Sequence, residues 1–236
     1  MIGVFDSGVG GLTALRELKT LLPHEDFVYL SDTKNCPYGT KRREELLPIV
    51  KRNVSLLREC GADIILSACC TASTLYHDLS SEEMSVTVPI IHPAARAATE
   101  TVGIAAPRIT VIATEYTARA GAFTSAIKER CQAARVTEMP TQRLVELVEG
   151  GLRDGDIDRV GRKYLTELSA RIRSTEPDVL ILGCTHFSHL ERTLGTMLHG
   201  VRIVSPAREG ALALTRIYKY RKSTSRPRGR LTYIGT

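Results

Sequence analysis

One short pattern occurs twice in this sequence and constrains the fold more than any other feature. Asp63 opens an apolar run that ends at Cys69, and Asp178 opens a similar run that ends at Cys184. In both copies a small residue precedes the Cys and a Thr follows closely. Short continuous apolar runs are typical of buried parallel strands. The repeat therefore predicts two similar α/β halves, each with a Cys where a strand gives way to a helix.

The position of these cysteines indicates a shared site. In open α/β sheets, ligands bind beyond the carboxyl ends of the strands, and the N–H groups of a helix N-terminus favour a thiolate. Free Cys is also among the most buried residue types and often packs as a small hydrophobe. Packing alone does not require the same Asp-to-Cys spacing twice, so we interpret Cys69 and Cys184 as functional thiols.

The rest of the chain alternates strand and helix patterns, which indicates an α/β fold with parallel sheets. We expect two similar, pseudo-symmetric α/β domains with the active site in the cleft between them. Residues 1–91 with 206–236 form the predicted first domain, and residues 92–205 the second, with the boundary at His92 and Pro93. Besides the two cysteine runs, the predicted strands are 2–5, 26–30, 88–91, 108–114, 135–138, 201–204 and 231–234. The predicted helices are 12–18, 41–60, 71–79, 118–130, 156–174, 186–198 and 207–220.

Composition excludes several classes of protein. Of the 236 residues 43% are hydrophobic, without a long uncharged apolar run, so we expect a globular protein that does not span a membrane. The N-terminus begins directly with a strand pattern, from which we expect no signal peptide. The six cysteines form neither a CxxC pair nor a zinc-like Cys/His group. This distribution predicts a cytoplasmic protein with free thiols and no metal site.

The positive charge is concentrated near the C-terminus. The formal net charge is +6, and residues 216–230 carry much of it. A basic tail is commonly a solvated surface, and this one has neither interleaved aromatics nor a recognisable nucleic-acid motif. We therefore expect a small-molecule substrate and no nucleic-acid partner.

A glycine-rich turn follows the first strand pattern. Its spacing does not match the G-x-G-x-x-G fingerprint of dinucleotide-binding proteins, and an Asp at its start would repel a pyrophosphate. We interpret Asp6 and Ser7 as site residues, although the same pair is also favoured as a cap for the following helix. Further on, a polar loop with Pro37, Tyr38 and Gly39 restricts the backbone in a way that can present amides to an anion.

Four short motifs lie in order along nearly the whole chain. They are Asp6-Ser7-Gly8-x-Gly10-Gly11-Leu12, Pro37-Tyr38-Gly39, Ala68-Cys69-x-Thr71-Ala72-Ser73 and Leu182-Gly183-Cys184-Thr185-His186-Phe187. This ordered set resembles that of the glutamate racemases, within the cofactor-independent aspartate/glutamate racemase superfamily.

The resemblance implies a reaction that suits two thiols. Inverting an amino acid at Cα removes a weakly acidic proton from one face and returns a proton to the other, which requires two acid/base groups. A reference pKa of about 8.5 lets a modest shift make one Cys a thiolate while the other stays a thiol. The implied function is racemisation of L-glutamate to D-glutamate by Cys69 and Cys184, without a cofactor, to supply D-glutamate for peptidoglycan.

The resemblance also assigns supporting roles. Asp6 is expected behind Cys69, with His186 and Glu149 on the side of Cys184, as further catalytic residues. The expected substrate-binding residues are Asp6, Ser7, Tyr38, Gly39, Cys70, Thr71, Thr185 and His186. Thr114 and Thr117 are expected to assist them.

The chain departs from the family pattern at several positions. Cys70 replaces an Asn, so an amide that donates and accepts becomes a weak thiol donor. Ser188 with His189 and Ser205 with Pro206 are further departures, and the chain ends at Thr236, where relatives continue. An aspartate or hydantoin racemase, or a catalytically degenerate ligand-binding member, therefore stays open as an alternative, and a homodimer stays open as the assembly.

Overall fold

The computed structural model describes residues 1–100, 103–218 and 229–236. The strands are β1 Ile2–Asp6, β2 Phe27–Ser31, β3 Ile64–Ser67, β4 Thr87–Pro89, β5 Arg108–Ala113, β6 Arg135–Pro140, β7 Val179–Gly183, β8 Arg202–Val204 and β9 Leu231–Gly235. The helices are α1 Leu12–Leu21, α2 Arg43–Glu59, α3 Cys70–Ser73, α4 Ser81–Val86, α5 Ile91–Thr99, α6 Glu115–Ala120, α7 Ala122–Arg130, α8 Gln142–Glu149, α9 Arg159–Arg173, α10 Glu191–Met197 and α11 Pro206–Ile217.

The described strands form two separate parallel sheets, which confirms the predicted α/β class. The first sheet has the order β4-β3-β1-β2-β9, and the second has the order β6-β5-β7-β8. Strands β1, β2 and β7 are buried along their whole length because helices cover both faces of the parallel sheets. The strands that lead to the two cysteines, β3 and β7, are both interior strands.

The two sheets share part of their packing. One buried cluster combines side chains of the first sheet, such as Ile2 and Leu66, with side chains of the second, such as Ile109 and Ile181. Helix α11 contacts both α1 and α5 and so lies between the two halves. This common core holds the carboxyl ends of β1, β3 and β7 at one place. No helix among the described residues is long and apolar enough to cross a bilayer.

The helix predicted over 71–79 is wrong in its extent. Helix α3 ends at Ser73, and a 3-10 turn at Tyr76–Asp78 follows. The Thr74 hydroxyl donates to the carbonyl of Thr71 at 2.8 Å, and Ser/Thr hydroxyls compete in this way with the helical bonds of the backbone. Helix α4 was not predicted, although Ser80 and Glu83 form a capping box at its start.

Other boundaries differ for local reasons. The helix predicted over 118–130 is two helices, α6 and α7, because Gly121 between them adopts a left-handed conformation with φ 61°. The helix predicted over 186–198 starts as a 3-10 turn at Thr185–Leu190, before α10. His92 and Pro93 lie in the first turn of α5, where a Pro is tolerated.

Part of the predicted C-terminal region lies outside the described residues. This applies to the basic residues Lys219, Arg221, Lys222, Arg226 and Arg228 and to the predicted end of the last helix at 220. The final strand β9 is described, and it pairs in parallel with β2 at the edge of the first sheet.

Candidate active site

The strand ends enclose one cavity that both halves of the chain build. Its volume is about 20 Å³, room for about one water molecule. The predicted site residues that line it are Ser7, Tyr38, Gly39, Cys69, Cys70, Thr71, Glu149, Cys184, Thr185 and His186. The structure thus brings the two thiols of the repeated pattern to the same cavity.

Cys69 lies between β3 and α3, buried in the cavity wall. Its Sγ donates to the Ser7 hydroxyl across 3.9 Å. Burial, aided by the Asp6 carboxylate, raises the pKa of Cys69 to about 12, although the N–H groups of Ala72 and Ser7 act in the opposite direction. The Cys69 thiol is therefore neutral at pH 7.

Asp6 lies behind this wall at the carboxyl end of β1 and is fully buried. Its carboxylate accepts from the Gly8 N–H at 3.1 Å and from the Thr185 hydroxyl at 3.3 Å, so it contacts both halves of the chain. The glycine-rich turn passes very close to these groups. A Cβ on Gly11 would lie 2.6 Å from the Asp6 Cβ, and one on Gly10 would lie 2.5 Å from the Thr185 hydroxyl oxygen. The glycines thus allow a close approach of backbone to site.

Cys184 follows β7 and is flanked by an imidazole and a carboxylate. Its Sγ lies 3.6 Å from Nδ1 of His186, and Nε2 of His186 lies 3.5 Å from Oε1 of Glu149. The imidazole is buried, whereas 40% of the Glu149 side chain is exposed. Burial raises the pKa of Cys184 well above its usual value, against the effect of the His186 N–H. The three side chains form a polar path from the buried thiol to the surface.

The expectation that the position at a helix start would favour a thiolate is wrong for this cavity. Helix α3 has only four residues and the segment after Cys184 is a 3-10 turn, so the dipole at each thiol is small. N–H groups do point at both sulfurs, but burial outweighs them and raises both pKa values. A nearby cation would lower these pKa values and favour a thiolate.

The hydroxyl of Tyr38 is bonded to two residues that do not line the cavity. The hydroxyl donates to Asp32 at 2.5 Å and accepts from the Asn53 amide at 2.8 Å. Asp32 is fully buried and also accepts from Asn35 and Thr236. Burial opposes the charge of Asp32, but these hydrogen bonds prevail and lower its pKa. Tyr38 thus reaches the cavity with its other atoms while its hydroxyl anchors the loop.

Sequence reasoning missed Asp32 and Asn53. Asp32 stood in a polar loop and Asn53 inside a charged helix, and neither pattern indicated burial. The one available signal was an Asp directly after a buried strand, the same context in which Asp6 was selected.

Gly39 lies against a group of threonines at one wall of the cavity. A Cβ on Gly39 would lie 2.8 Å from the Cβ of Thr114, so the loop reaches this wall only with a glycine. The Thr71 hydroxyl bonds with those of Thr114 at 3.2 Å and Thr117 at 3.1 Å. Thr71 comes from the first half and the other two from the second. Of the three, Thr71 and Thr114 line the cavity, and their hydroxyls give it a neutral, hydrogen-bonding surface there.

Two further thiols lie at the cavity. Cys70 is buried next to Cys69, and burial raises its pKa well above the usual value. Cys36, which the sequence analysis did not select, is half-buried, and its Sγ lies 3.9 Å from Oε1 of Glu149. Burial and the Glu149 charge raise the pKa of Cys36 to about 11. Both thiols are thus neutral neighbours of the pair formed by Cys69 and Cys184.

The family model described as Asp/Glu/Hydantoin racemase matches residues 16–214. The chain belongs to the Asp/Glu/hydantoin racemase family, and the resemblance drawn from the four motifs is confirmed.

The individual relatives of this chain include several glutamate racemases. The chain is 40% identical over 212 residues to a glutamate racemase from Desulforudis audaxviator, covering 87% of this chain and 74% of the relative. It is similar to the crystal structure of a glutamate racemase isoform from Bacillus anthracis, with a TM-score of 0.90, 30% identity and coverage of 100% and 88%. The glutamate racemase from Francisella tularensis in complex with D-glutamate is also similar, with a TM-score of 0.85, 26% identity and coverage of 98% and 87%.

Proposed function

We propose that this protein is an amino-acid racemase that interconverts L- and D-glutamate without a cofactor. One observation carries the proposal: Cys69 and Cys184, delivered by separate sheets, line a single cavity. The relatives described above support glutamate as the substrate, because they are glutamate racemases by name.

The proposed reaction moves one proton at each face of Cα. The substrate ammonium enters a cavity that holds both thiols neutral; one thiol releases its proton to solvent, and the ammonium charge stabilises the resulting thiolate. This thiolate removes the Cα proton and becomes a thiol, while the opposite thiol donates its proton to the other face of the carbanion and becomes a thiolate. Asp6 and the pair His186 and Glu149 stabilise the ammonium and orient the thiols. In the reverse direction the two thiols exchange roles.

We propose that the remaining lining groups hold the substrate's ends. Ser7, Thr71 and Thr185 offer hydroxyls, Gly39 offers its N–H, and the Cys70 thiol lies beside them. Tyr38 contributes by positioning the loop of Gly39 through its hydrogen bond to Asp32. The Thr185 hydroxyl, bonded to Asp6, belongs to the end that suits an ammonium.

The biological setting follows from the product. We propose that the D-glutamate serves peptidoglycan synthesis, and that the enzyme works in the cytoplasm, where its six free cysteines stay reduced. We also propose the division into one domain of residues 1–91 with 206–236 and another of residues 92–205. The membership of the strands in the two sheets supports it. A homodimer stays a prediction.

The test uses single enantiomers and extensively dialysed protein. Circular dichroism follows the loss of optical activity of L-glutamate, D-glutamate, L-aspartate and D-aspartate in separate samples. Loss of the signal with both glutamate enantiomers, at a rate at least about tenfold above that with aspartate, is the expected result. Faster loss of the signal with aspartate would mean that aspartate, and not glutamate, is the substrate. No loss with any of the four amino acids would mean that the protein binds a ligand without turning it over.

A further inference from the structure

One face of helix α8 lines the cavity. Gln142, Val145 and Glu149 line it, at spacings of three and four residues that place them on the same helix face. Seven residues of α-helix span about 10 Å. Glu149 reaches His186 at one end of this face, and Gln142 marks the opposite end.

The amide of Gln142 has an unused hydrogen-bonding group. Its Oε1 is buried and has no partner within the described part of the chain. Of the three such side-chain atoms found there, the other two belong to Thr87 and Glu138, which do not line the cavity. Buried polar atoms in native proteins nearly always have a partner, and one that faces a cavity points to a ligand.

The surroundings of this amide indicate which part of a ligand it meets. Gln142 Oε1 lies 3.2 Å from where a Cβ on Gly39 would be, and Gly39 itself abuts Thr114. The only Asp or Glu among the lining residues is Glu149, two helical turns away. A substrate carboxylate is therefore repelled least at the end of the cavity where Gln142 lies. A half-turn of the amide presents its NH₂ group there as a donor.

We propose that Gln142 is a specificity-determining residue, whose side-chain amide binds the carboxylate at the far end of the glutamate side chain. This inference rests on the proposed function. The hydrogen bond fixes the distal carboxylate beside Gly39 and Thr114, and Cα then lies nearer the thiols. Gln142 does not take part in proton transfer.

The experiment measures kcat and KM for glutamate and Cα deuterium exchange for glutamate and glutamine, with the full chain and two variants. Gln142→Leu removes the hydrogen bonds and is expected to lower kcat/KM for glutamate about 10- to 100-fold, mainly through KM. Gln142→Glu places a like charge against the distal carboxylate and accepts from the amide of glutamine. It is expected to raise the ratio of glutamine exchange to glutamate exchange at least about tenfold.

Gln132→Leu and Gln132→Glu are matched controls, because Gln132 is exposed and does not line the cavity. Both control variants are expected to keep the parent's kinetic constants for glutamate and its exchange rates for glutamate and glutamine. Thermal unfolding midpoints are measured to confirm that all variants fold. The inference is overturned if Gln142→Leu keeps kcat/KM within about threefold of the parent, or if Gln142→Glu lowers exchange of both substrates equally. A parent protein inactive on glutamate overturns the proposed function itself, and this inference with it.

Discussion

The two cavity thiols, Cys69 and Cys184, both follow the end of a parallel strand but have different neighbours. Cys69 faces the Ser7 hydroxyl, with the buried Asp6 carboxylate behind it. Cys184 faces the His186 imidazole, which leads to the half-exposed Glu149. Each thiol follows an interior strand of its own sheet.

The different neighbours of Cys69 and Cys184 show that the repeated pattern positions the two sulfurs and does not position the groups around them. The supporting groups come from elements that are not repeated: Asp6 from the end of β1, and Glu149 from the end of α8. One thiol therefore has a closed, acidic neighbourhood, and the other has a polar path toward solvent. We expect the two faces of Cα to be served by proton donors with unequal surroundings.

The largest effect tests whether both thiols are needed. Cys69→Ala and Cys184→Ala are each expected to lower the racemisation rate by at least about a thousandfold, because each removes the acid/base group of one face. The rates are measured by circular dichroism with each glutamate enantiomer. A variant that keeps a rate near that of the parent would show that its thiol is a packing residue, and the comparison between the two sites would lose its basis.

The pH dependence tests the shared property of the two sites. Burial raises the pKa of Cys69 to about 12 and that of Cys184 well above its usual value, so both thiolates are scarce at neutral pH. The thiolate fraction of such a group rises tenfold per pH unit below its pKa. We expect kcat/KM, which reports the free enzyme, to rise about a hundredfold between pH 6 and pH 8. A plateau beginning below pH 7 would mean that one thiol is already ionised.

Helper variants test the asymmetry directly. Asp6→Asn and His186→Asn are each expected to lower kcat about 10- to 100-fold, by misplacing one thiol. The enantiomers have equal free energy, so kcat/KM must fall equally in both directions, and isotope effects are used to detect the asymmetry. We expect the primary deuterium isotope effect to rise for one enantiomer in Asp6→Asn and for the other in His186→Asn. If the isotope effect rises for the same enantiomer in both variants, Asp6 and His186 do not each support a different thiol.

The smallest effect concerns a thiol outside the pair. Cys36→Ser keeps a polar group beside Glu149 and leaves the path from Cys184 intact. We expect kcat/KM to change by less than about threefold, measured with the same dichroism assay. A loss of tenfold or more would place Cys36 in the proton path and change the description of the Cys184 side.

Local patterns in the sequence predicted the scaffold of the site well. The strands that end before Cys69 and Cys184 were predicted because their apolar runs are continuous, and burial on both faces requires that composition. The roles given to the site residues stay predictions, although the structure places ten of them around one cavity.

What the sequence could not predict depends on tertiary contacts. The upward pKa shifts of both thiols arise from burial that exists only in the folded chain. The anchoring of Tyr38 by Asp32 and Asn53 joins residues of a loop and a helix whose patterns look exposed. Gln142 is the first residue of α8, which was not among the predicted helices, and only the folded cavity identifies its buried oxygen.

The most direct measurement follows the isotope at Cα in the first turnovers. L-Glutamate is incubated with the enzyme in deuterium oxide, and both enantiomers are analysed by mass spectrometry below about 5% conversion, an early range in which each product molecule has formed by one proton donation. Two thiols on opposite faces predict that D-glutamate carries deuterium at Cα while the recovered L-glutamate keeps its protium. Protium retained in the product, or deuterium in the recovered substrate at the rate of inversion, would mean that one group serves both faces.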